Sequence, residues 1–279
     1  MARFDAADIR RYYDRHSASF IRFGQGRGSI HRAVWGRGTR TRDDAFHYVD
    51  DQIATLIRRL LSSSAGVHIV DLGCGIGASL CYLAEQVSIR GSGITLSPAQ
   101  AAMARELVAA RGLSGRVECL EGDYCALPVS IMPADLAYAI ESFVHGPDPA
   151  RFFEQCRRLL KPGGLLVICD DMKTGVGTPA ATRAIEEFTT GWHINTLLER
   201  DALIRLARNA GFEHESTQDL TPLLELNRLR DVAIRVGVAL LNRLPCDTAR
   251  FDYAIGGAAL QTCLAKGWIR YELSVFRSG

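Results

Sequence analysis

A glycine-rich turn carries the clearest chemical signal in the sequence. In the segment VDLGCGIGAS, a buried strand ends at Asp71, and Gly73, Gly75 and Gly77 then lead into a helix. Glycines at this spacing let the backbone approach a ligand closely, and an acidic group beside the turn can accept hydrogen bonds from a cationic or hydroxylated group. Ala78 stands where the dinucleotide fingerprint GxGxxG has its third glycine, so the turn alone does not identify the ligand.

A carboxylate and an imidazole form the second chemical candidate. Glu141 and His145 directly follow the predicted strand 134–140, at the end where parallel α/β sheets bind their substrates. These two side-chain types commonly exchange protons in active sites. A structural interpretation stays open for each of them. Glu141 could cap a helix or contact an amine of a cofactor, and His145 could belong to a turn before Gly146 and Pro147.

A parallel sheet must position these residues, and the rest of the sequence predicts one. From Gly66 onward short β-branched runs alternate with amphipathic stretches, which is the pattern of a parallel sheet covered by helices. The predicted strands are 67–71, 90–96, 117–122, 134–140, 164–170, 212–217 and 268–277, and the predicted helices are 78–86, 98–110, 150–160 and 200–210. Two further helical stretches, 178–198 and 224–266 with a break near Pro245, have no place in this alternation.

Five motifs, in order, resemble those of the class I S-adenosylmethionine-dependent methyltransferases. They are the glycine turn, GITLSPAQ at 93–100, EGDYCALP at 121–128, ADLAYAIESFVH at 134–145 and LLKPGGLLVI at 159–168. The resemblance implies an α/β, Rossmann-like sheet of seven mostly parallel strands, the last of them antiparallel. It also implies S-adenosyl-L-methionine as the cofactor.

The same resemblance assigns the cofactor contacts. They are Asp71, Gly73, Cys74, Gly75, Thr95, Leu96, Gln100, Asp123, Tyr124 and Ala139. Asp71 and the glycine turn would hold the methionine part, and Asp123 with Tyr124 would meet the adenine. Most members end the second strand in an acidic residue that binds the ribose, whereas this chain has Thr95 and Leu96 there. The pattern GxTLSxxQ occurs in the branch that methylates carbon in lipids, sterols and tocopherols, where Thr, the following backbone and Gln serve the ribose.

The N-terminal block mixes aromatic and basic side chains. Aromatic faces stabilise cations, and Arg and His bind phosphate oxygens through directed hydrogen bonds. This mixture suits an acceptor with an olefinic tail and an anionic head; Mg²⁺ would accompany a diphosphate head, although no metal ligand is assigned. The predicted substrate contacts are Tyr12, Phe20, Arg22, His31, Arg32, Trp35, Phe143, Trp192 and Tyr253. For any single residue, simple packing or solvation remains an alternative.

The segments YYDRHSASFIRFGQGRGSIHRAVWG and AFHYVDDQI are similar to those of bacterial isoprenoid C-methyltransferases. Members of that group act on prenyl diphosphates or, in the teleocidin pathway, on a prenyl chain that then cyclises. They carry an N-terminal helix that covers the active site and can exchange between subunits. The similarity therefore predicts a homo-oligomer and an isoprenoid small-molecule substrate.

The predicted reaction is C-methylation of an isoprenoid alkene, such as isopentenyl or geranyl diphosphate or a prenylated natural product. Attack of the π electrons on the sulfonium methyl leaves a carbocation, which must lose a proton or cyclise while water is excluded. Glu141, alone or relayed through His145, is the predicted base. Two alternatives stay open: an O- or N-methyltransferase of a small metabolite, and a non-methylating cyclase on the same fold.

Composition limits the remaining classes. With 279 residues, 47% of them hydrophobic, and a net charge of +2, the chain has ordinary globular composition, which argues against disorder and against charge-driven nucleic-acid binding. No apolar run reaches the ~20 residues that cross a bilayer, and the N-terminus has no apolar signal segment. We therefore expect a cytoplasmic protein without stable membrane insertion. The 8 Cys form no CxxC pair, which favours reduced thiols over a zinc site.

The chain is longer than a minimal domain of this class. The extra residues precede the first strand, follow the fifth strand and separate the last two strands. We therefore predict an N-terminal helical lid at 1–61 and one methyltransferase domain at 62–279, with cap insertions at about 177–198 and 222–267. All three additions could converge on the acceptor end of one sheet.

Overall fold

The computed structural model describes residues 3–23, 31–62, 66–131, 133–226 and 252–279, with backbone alone for 15–23. The side chains of Phe20 and Arg22, two predicted substrate contacts, therefore lie outside the described residues. The same holds for the predicted helix break near Pro245.

Seven strands form a single sheet in the order β3-β2-β1-β4-β5-β7-β6. They are β1 (His68–Leu72), β2 (Arg90–Thr95), β3 (Val117–Glu121), β4 (Ala134–Ile140), β5 (Leu160–Lys173), β6 (Phe212–Asp219) and β7 (Ile269–Ser278). Strands β1 to β5 are parallel, and β7 runs antiparallel to both β5 and β6. The predicted fold class is confirmed, including the antiparallel last strand.

Helices cover both faces of this sheet. They are α1 (Ala6–Phe23), α2 (Arg42–Phe46), α3 (Tyr48–Leu61), α4 (Ala78–Gln86), α5 (Pro98–Ala110), α6 (Pro149–Leu159), α7 (Pro179–Gly191), α8 (Arg200–Asn209) and α9 (Asp252–Ala265). Local signals set several of these ends. At α5, the Ser97 side chain accepts a hydrogen bond from the backbone N–H of Gln100, and Pro98 occupies the first turn. Helices α4 and α5 have the predicted bounds.

The apolar core has two layers, one on each face of the sheet. Ile69 of β1 enters the layer under α3 and α4, whereas its neighbour Val70 enters the layer under α6 and α8. This alternation follows from the period of two along a strand. Phe143 is buried in the second layer with only 1% of its surface exposed, in contact with Phe152 and Phe153.

Two predicted helical stretches are shorter than expected. The first ends at Gly191, where α7 crosses α9 so closely that a Cβ on Gly191 would lie 2.9 Å from the Gly256 Cα atom. Residues 193–198 are not helical, and His193 has a φ of +54°. The second stretch does not begin at Leu224. That residue forms an antiparallel bridge with Val34, so its backbone is paired outside a helix.

Strand β5 is longer than the predicted 164–170. Its first residue, Leu160, already pairs with Ala134 across an irregularity, and its last, Lys173, pairs with Ile269. The long antiparallel partner β7 therefore extends β5 at its carboxyl end. Among the described helices, none is long and apolar enough to cross a membrane.

Candidate active site

A cavity of about 190 Å³ lies at the carboxyl ends of β1, β2, β4 and β5. This is where open α/β sheets bind their ligands. Helix α1 covers one side of the cavity, and the segment that follows α7 covers another, because residues of both line it. The cavity has two halves. The half at β1 and β2 is here called the cofactor half, and the half at β4 and β5 the acceptor half.

The glycine turn forms the floor of the cofactor half. Gly73, Gly75 and Gly77 have φ angles of +101°, +53° and +76°, a region that glycine adopts without steric cost. A Cβ on Gly73 would lie 2.4 Å from the Ser142 Cβ atom, so packing requires glycine there. A Cβ on Gly75 would have no neighbour closer than the Gln100 Nε2 atom at 4.0 Å. The backbone at Gly75 is therefore an open cradle that a ligand can approach.

Neutral polar groups stand at the end of β2. The hydroxyl of Thr95 donates a hydrogen bond to the Gln100 Oε1 atom over 2.8 Å, and both residues line the cavity. Ser97, which caps α5, also donates to the Asp14 carboxylate of α1. Arg10 of α1 places its Nη1 atom 3.5 Å from the Glu121 Oε1 atom of β3. Helix α1 is thus fastened over this end of the cavity.

The structure brings together most of the predicted cofactor contacts. Those that line the cavity are Gly73, Cys74, Gly75, Thr95, Leu96, Gln100 and Tyr124. Asp71, Asp123 and Ala139 are not part of the lining. Asp71 lies behind the turn with 4% of its surface exposed, and burial raises its pKa to about 8. Asp123 accepts a hydrogen bond from the Cys125 N–H at 2.7 Å, and Ala139 is wholly buried within β4.

Glu141 is held in an unusual conformation at the centre of the acceptor half. Its φ of +50° is uncommon for a residue with a side chain, and such conformations persist where the surroundings enforce them. Its Oε1 atom accepts two hydrogen bonds of 2.9 Å, from the backbone N–H of Arg32 and from the hydroxyl of Tyr271. Within the described part of the chain no hydrogen bond reaches Oε2. Its charged neighbour is the Arg32 Nε atom, 3.9 Å away, so Oε2 is the oxygen of Glu141 that is open to a proton.

An ion pair fixes the residue that holds Glu141. The two terminal nitrogens of Arg32 donate to the two carboxylate oxygens of Asp171 over 2.6 and 2.7 Å, and its guanidinium stacks 4.6 Å above the centre of the Tyr271 ring. Burial opposes the charge of Arg32, but Asp171 and Glu141 raise its pKa well above the usual value. The Arg32 guanidinium, predicted as a substrate contact, is thus paired with Asp171 within the protein.

Two further carboxyl groups belong to the acceptor half. Asp170 accepts hydrogen bonds from the backbone N–H groups of Val144 and Asp171 over 3.1 and 2.9 Å, and burial raises its pKa well above the usual range. Burial also raises the pKa of Asp171, although Arg32 counteracts part of that effect. Counting only the lining residues that the structure describes, three carboxyl groups face a single arginine. Because burial favours the protonated form of Asp170, the charges at the cavity are those of Glu141 and Asp171 against Arg32, an excess of one negative charge that favours a ligand that is cationic or becomes so.

His145 is bonded to Tyr13 and not to Glu141. Its Nε2 atom lies 2.7 Å from the Tyr13 hydroxyl, and its Nδ1 atom lies 3.2 Å from the backbone carbonyl oxygen of His193. Burial lowers the pKa of His145 to about 4, so the ring is neutral at ordinary pH. No hydrogen bond between described residues supports the predicted relay from Glu141 through His145.

Aromatic rings cover the acceptor half. The Tyr12 and His193 rings lie 4.6 Å apart at a tilt of 35°, and Trp192 stacks on Tyr253 with ring centres 5.5 Å apart. Five of the predicted substrate contacts line the cavity: Tyr12, His31, Arg32, Trp192 and Tyr253. Trp35 and Phe143 do not line it.

The two misplaced aromatics have different surroundings. Trp35 is 36% exposed, with its backbone N–H bonded to the Leu223 carbonyl, and Phe143 belongs to the core. His31, placed at the substrate, lies with its Nε2 atom 3.0 Å from the Ser79 hydroxyl at the start of α4. It therefore borders the glycine turn as well as the acceptor half.

Sequence reasoning missed several lining or supporting residues, and four of them matter for the acceptor half. They are Tyr13, Asp170, Asp171 and Tyr271. Asp170 and Asp171 could have been found, because they end a predicted parallel strand at the same edge as Glu141. Tyr271 could not have been found this way, since its place opposite Glu141 depends on the antiparallel register of β7.

Possible metal ligands are not clustered in the described part of the chain. Within the described ranges, no group of three or more His, Cys, Asp or Glu side chains is arranged to hold a metal ion. The seven described cysteines are buried and unpaired with one another by disulfides.

Comparison with known proteins gives the family. The methyltransferase domain family model matches residues 70–168. The chain is 32% identical to the O-methyltransferase cnsE of Penicillium expansum over 195 residues, which cover 69% of this chain and 68% of that protein. It is also 32% identical over 181 residues to the methyltransferase GfsG of Streptomyces halstedii, covering 65% of this chain and only 62% of that protein. The chain belongs to the S-adenosylmethionine-dependent methyltransferases of class I.

Two solved structures share the whole fold. The geranyl diphosphate C-methyltransferase of Streptomyces coelicolor A3(2), solved with Mg²⁺, geranyl diphosphate and S-adenosyl-L-homocysteine, superposes with a TM-score of 0.69 at 18% identity, over 98% of this chain and 97% of that chain. The [4+2]-cyclase SpnF superposes with a TM-score of 0.72 at 24% identity, over 98% and 96% of the two chains. At these identities the likeness concerns the fold alone.

The cofactor half fits S-adenosylmethionine. The open cradle at Gly75 accommodates close approach of a ligand to the backbone, and the Thr95 and Gln100 side chains offer neutral hydrogen-bonding groups for ribose hydroxyls. Tyr124 lines the same half, with its hydroxyl bonded to the Ser142 carbonyl at 2.8 Å. The carboxyl groups of the acceptor half complement a sulfonium.

Proposed function

We propose that this protein is a C-methyltransferase that adds a methyl group to an alkene carbon of an isoprenoid acceptor. The observation that carries the proposal is the arrangement at Glu141. One carboxylate oxygen is fixed by Arg32 and Tyr271, the other is left to accept a proton, and the surrounding cavity is lined by aromatic rings. This combination suits the formation and deprotonation of a carbocation better than attack by an acceptor already carrying a lone pair.

The residues divide the reaction between them. S-adenosylmethionine, when bound, supplies an electrophilic methyl group. The π electrons of the acceptor would form the new C–C bond while the S–CH₃ bond breaks, with its electron pair staying on the sulfur of S-adenosylhomocysteine as the leaving group. The neighbouring acceptor carbon would then carry the cation. The rings of Tyr12, Trp192 and Tyr253 stabilise that charge through their faces. Glu141 then takes a proton from the adjacent carbon at Oε2, and the electrons of that C–H bond form a new double bond.

Helix α1 and the aromatic segment at Trp192 also have a protective role. A carbocation reacts with any water that reaches it, so the acceptor half must be closed during turnover. Ser97 and Asn195 each fasten α1 to the body of the protein, the first through Asp14 and the second through the backbone of Phe4. This closure supports C-methylation, because transfer to oxygen or nitrogen needs no such protection.

The proposed acceptor is either a prenyl diphosphate, such as isopentenyl or geranyl diphosphate, or a prenylated natural product. The shared fold with a geranyl diphosphate C-methyltransferase supports the first class. The charges around Glu141 support an uncharged group at that point of the acceptor, because Arg32 is already paired with Asp171. Mg²⁺ would be needed only if the head is a diphosphate.

Purified full-length protein and methyl-labelled S-adenosylmethionine test the proposal. The acceptors are isopentenyl diphosphate and geranyl diphosphate, each with and without Mg²⁺, and a set of prenylated aromatics. Label on an acceptor carbon, located by mass spectrometry and NMR, is the expected result. Label found only on oxygen or nitrogen, or cyclisation without transfer of label, would overturn the proposal.

O-methylation of a small metabolite is the second candidate. It is favoured by the relationship to the O-methyltransferase of Penicillium expansum, which shares 32% identity over 69% of this chain. Here Glu141 would take the proton of a hydroxyl group. Hydroxylated aromatics without prenyl chains separate the two, because only the O-methyltransferase would methylate them.

A further inference from the structure

We propose that Tyr13 is a second proton acceptor in this active site, acting with His145, and that the pair decides which C–H bond of the methylated cation breaks. The inference rests on the proposed function, because it concerns the same cation. It assigns a chemical role to a residue of α1 that otherwise serves only as part of a lid.

The hydrogen bonds of His145 fix the direction of each proton. A backbone carbonyl can only accept, so the 3.2 Å contact with the His193 oxygen places the imidazole proton on Nδ1. Nε2 then presents its lone pair, and the Tyr13 hydroxyl donates to it over 2.7 Å. A phenol oxygen that donates its proton keeps lone pairs of its own. Tyr13 lines the cavity, so that oxygen belongs to the acceptor half.

The backbone around the pair is held in place. His193 adopts a left-handed conformation, with a φ of +54°, and in that conformation its carbonyl meets the imidazole. This conformation closes the carboxyl end of α7, where the Ile194 N–H donates to the Thr189 carbonyl over 3.0 Å, and it fixes the position of the His193 carbonyl. Asn195 links both partners: its Nδ2 atom donates to the carbonyls of His145 and Phe4, over 3.0 and 2.9 Å, and its Oδ1 atom accepts from the Phe4 N–H over 2.9 Å. The start of α1 is thus bound to the turn that carries His145.

Tyr13 and Glu141 reach the cavity from different elements. Glu141 follows β4 and is held by Tyr271 of β7, whereas Tyr13 comes from α1 and is held by His145. In the described part of the chain no hydrogen bond joins these two systems. A cation between them could therefore lose a proton either to Glu141 or to Tyr13, and each of these groups would take it from a different carbon atom.

The Tyr13–His145 pair is a weak base, which can deprotonate a carbocation but not a weaker acid. Burial lowers the pKa of His145 to about 4 and raises the pKa of Tyr13, so both rest in their neutral forms. A neutral pair of this kind is too weak a base for an alcohol or an amine. A carbocation is a far stronger acid than imidazolium, so it can lose a proton even to this pair.

The step balances in atoms and electrons. The C–H bond beside the cationic carbon breaks, and its electron pair becomes the new double bond. The released proton goes to the Tyr13 oxygen while the original phenol proton moves to His145 Nε2. Because the pKa of His145 is about 4, the imidazolium then loses this proton to water once the product leaves, and the pair is neutral again.

Tyr13→Phe tests the role of the oxygen while it keeps the ring. The control is Tyr82→Phe, since the Tyr82 hydroxyl bonds Asp51 over 2.9 Å and Tyr82 is not among the lining residues. The acceptor is whichever compound of the panel above is methylated on carbon fastest. Alkene isomers and any water-quenched alcohol are separated by gas chromatography and mass spectrometry. The affinity for S-adenosyl-L-homocysteine is measured by calorimetry.

We expect Tyr13→Phe to form the principal wild-type alkene about tenfold more slowly or worse. Another alkene isomer or the alcohol should take its place, with the affinity for S-adenosyl-L-homocysteine and the Tyr82→Phe products unchanged. If Tyr13→Phe gives the same product ratio as the wild type, the inference is overturned, whatever the overall reaction rate. Label on oxygen or nitrogen in the wild type overturns the proposed function instead, so the two failures are distinct.

His145 acts through Tyr13, so it is a positioning residue, and the pH dependence of the product ratio tests it. In the wild type the ratio should stay constant as pH falls until it approaches about 4, where the imidazole becomes protonated. His145→Gln should give the altered ratio at every pH. A ratio does not depend on the amount of folded enzyme, so acid unfolding does not confuse the result. A wild-type ratio in His145→Gln overturns the role of the imidazole.

Discussion

The two halves of the cavity are built in different ways. The cofactor half consists of a glycine turn and a strand end, whose residues are near one another in sequence and act largely through the backbone. The acceptor half depends on side-chain contacts between distant residues: Tyr13 with His145, Arg32 with Asp171 and Tyr271 with Glu141 are separated by 132, 139 and 130 positions. Substitutions should therefore affect cofactor binding and turnover separately.

Glu141→Gln should give the largest effect and sharpen the distinction most. The amide has nearly the same shape but cannot take a proton, so we expect formation of the alkene that depends on Glu141 to fall about 10²–10⁴-fold, while any alkene formed through Tyr13 remains. The affinity for S-adenosyl-L-homocysteine, measured by calorimetry, should be unchanged. A loss of that affinity would instead place Glu141 at the amine of the cofactor, and cofactor binding and turnover would then not be separable at this residue.

Asp171→Asn should destabilise the whole protein through the acceptor half. The carboxylate is 2% exposed and the Arg32 side chain 16% exposed, so the substitution leaves a buried guanidinium without its partner. We expect the free energy of unfolding in denaturant to fall by about 3–5 kcal/mol. The matched control is Glu85→Gln, which breaks a pair with Arg111 on side chains about a third exposed and should cost about 0–1 kcal/mol. Equal losses of unfolding free energy in Asp171→Asn and Glu85→Gln would contradict the view that burial makes the Arg32–Asp171 pair important.

Two glycine substitutions separate packing from binding within the cofactor half. Gly73→Ala places a methyl group against Ser142 at a φ of +101°, so it should lower stability by about 1–3 kcal/mol. Gly75→Ala fills the open cradle, so it should weaken S-adenosyl-L-homocysteine binding about tenfold, or about 1.4 kcal/mol, with a smaller loss of stability. Thermal unfolding and calorimetry measure the two effects. Unchanged affinity in Gly75→Ala would remove the turn from the binding site.

Asp71 should give an effect that is visible only when stability is measured against pH. Burial raises its pKa to about 8 from a usual 3.8, so between these values the folded state binds more protons than the unfolded state. The contribution to stability is therefore complete below about pH 3.8 and is lost as pH rises towards 8. Asp71→Asn should flatten this decline in denaturant unfolding measured at several pH values. A parallel decline in both proteins would show that other groups cause it.

Much of the fold follows from local sequence signals. The bounds of α4 and α5 agree with the structure because the glycine turn and the Ser97–Pro98 pair set the helix starts locally. The end of α7 was not predicted, since it depends on the close approach of Gly191 to Gly256 on another helix. The long β5 likewise depends on its partner β7. The homo-oligomer stays a prediction.

The site shows the same limit at the level of single side chains. Residue type predicted that aromatic rings surround the acceptor, and Tyr12, Trp192 and Tyr253 line the cavity. It could not separate them from Trp35 or Phe143, because an aromatic ring suits a core as well as a cavity. Which face a ring occupies is decided by packing.

The sequence by itself determined the family, the sheet and the position of the cofactor half, because a strand, a glycine turn and a helix start are encoded by neighbouring residues. Only the tertiary structure decided how the acceptor half works. Arg32 proved to be held by Asp171, Glu141 to be oriented by Tyr271, and His145 to be bonded to Tyr13. The physical reason is that a side chain's hydrogen-bond partner depends on which distant segments the folded sheet and its covering helices bring together.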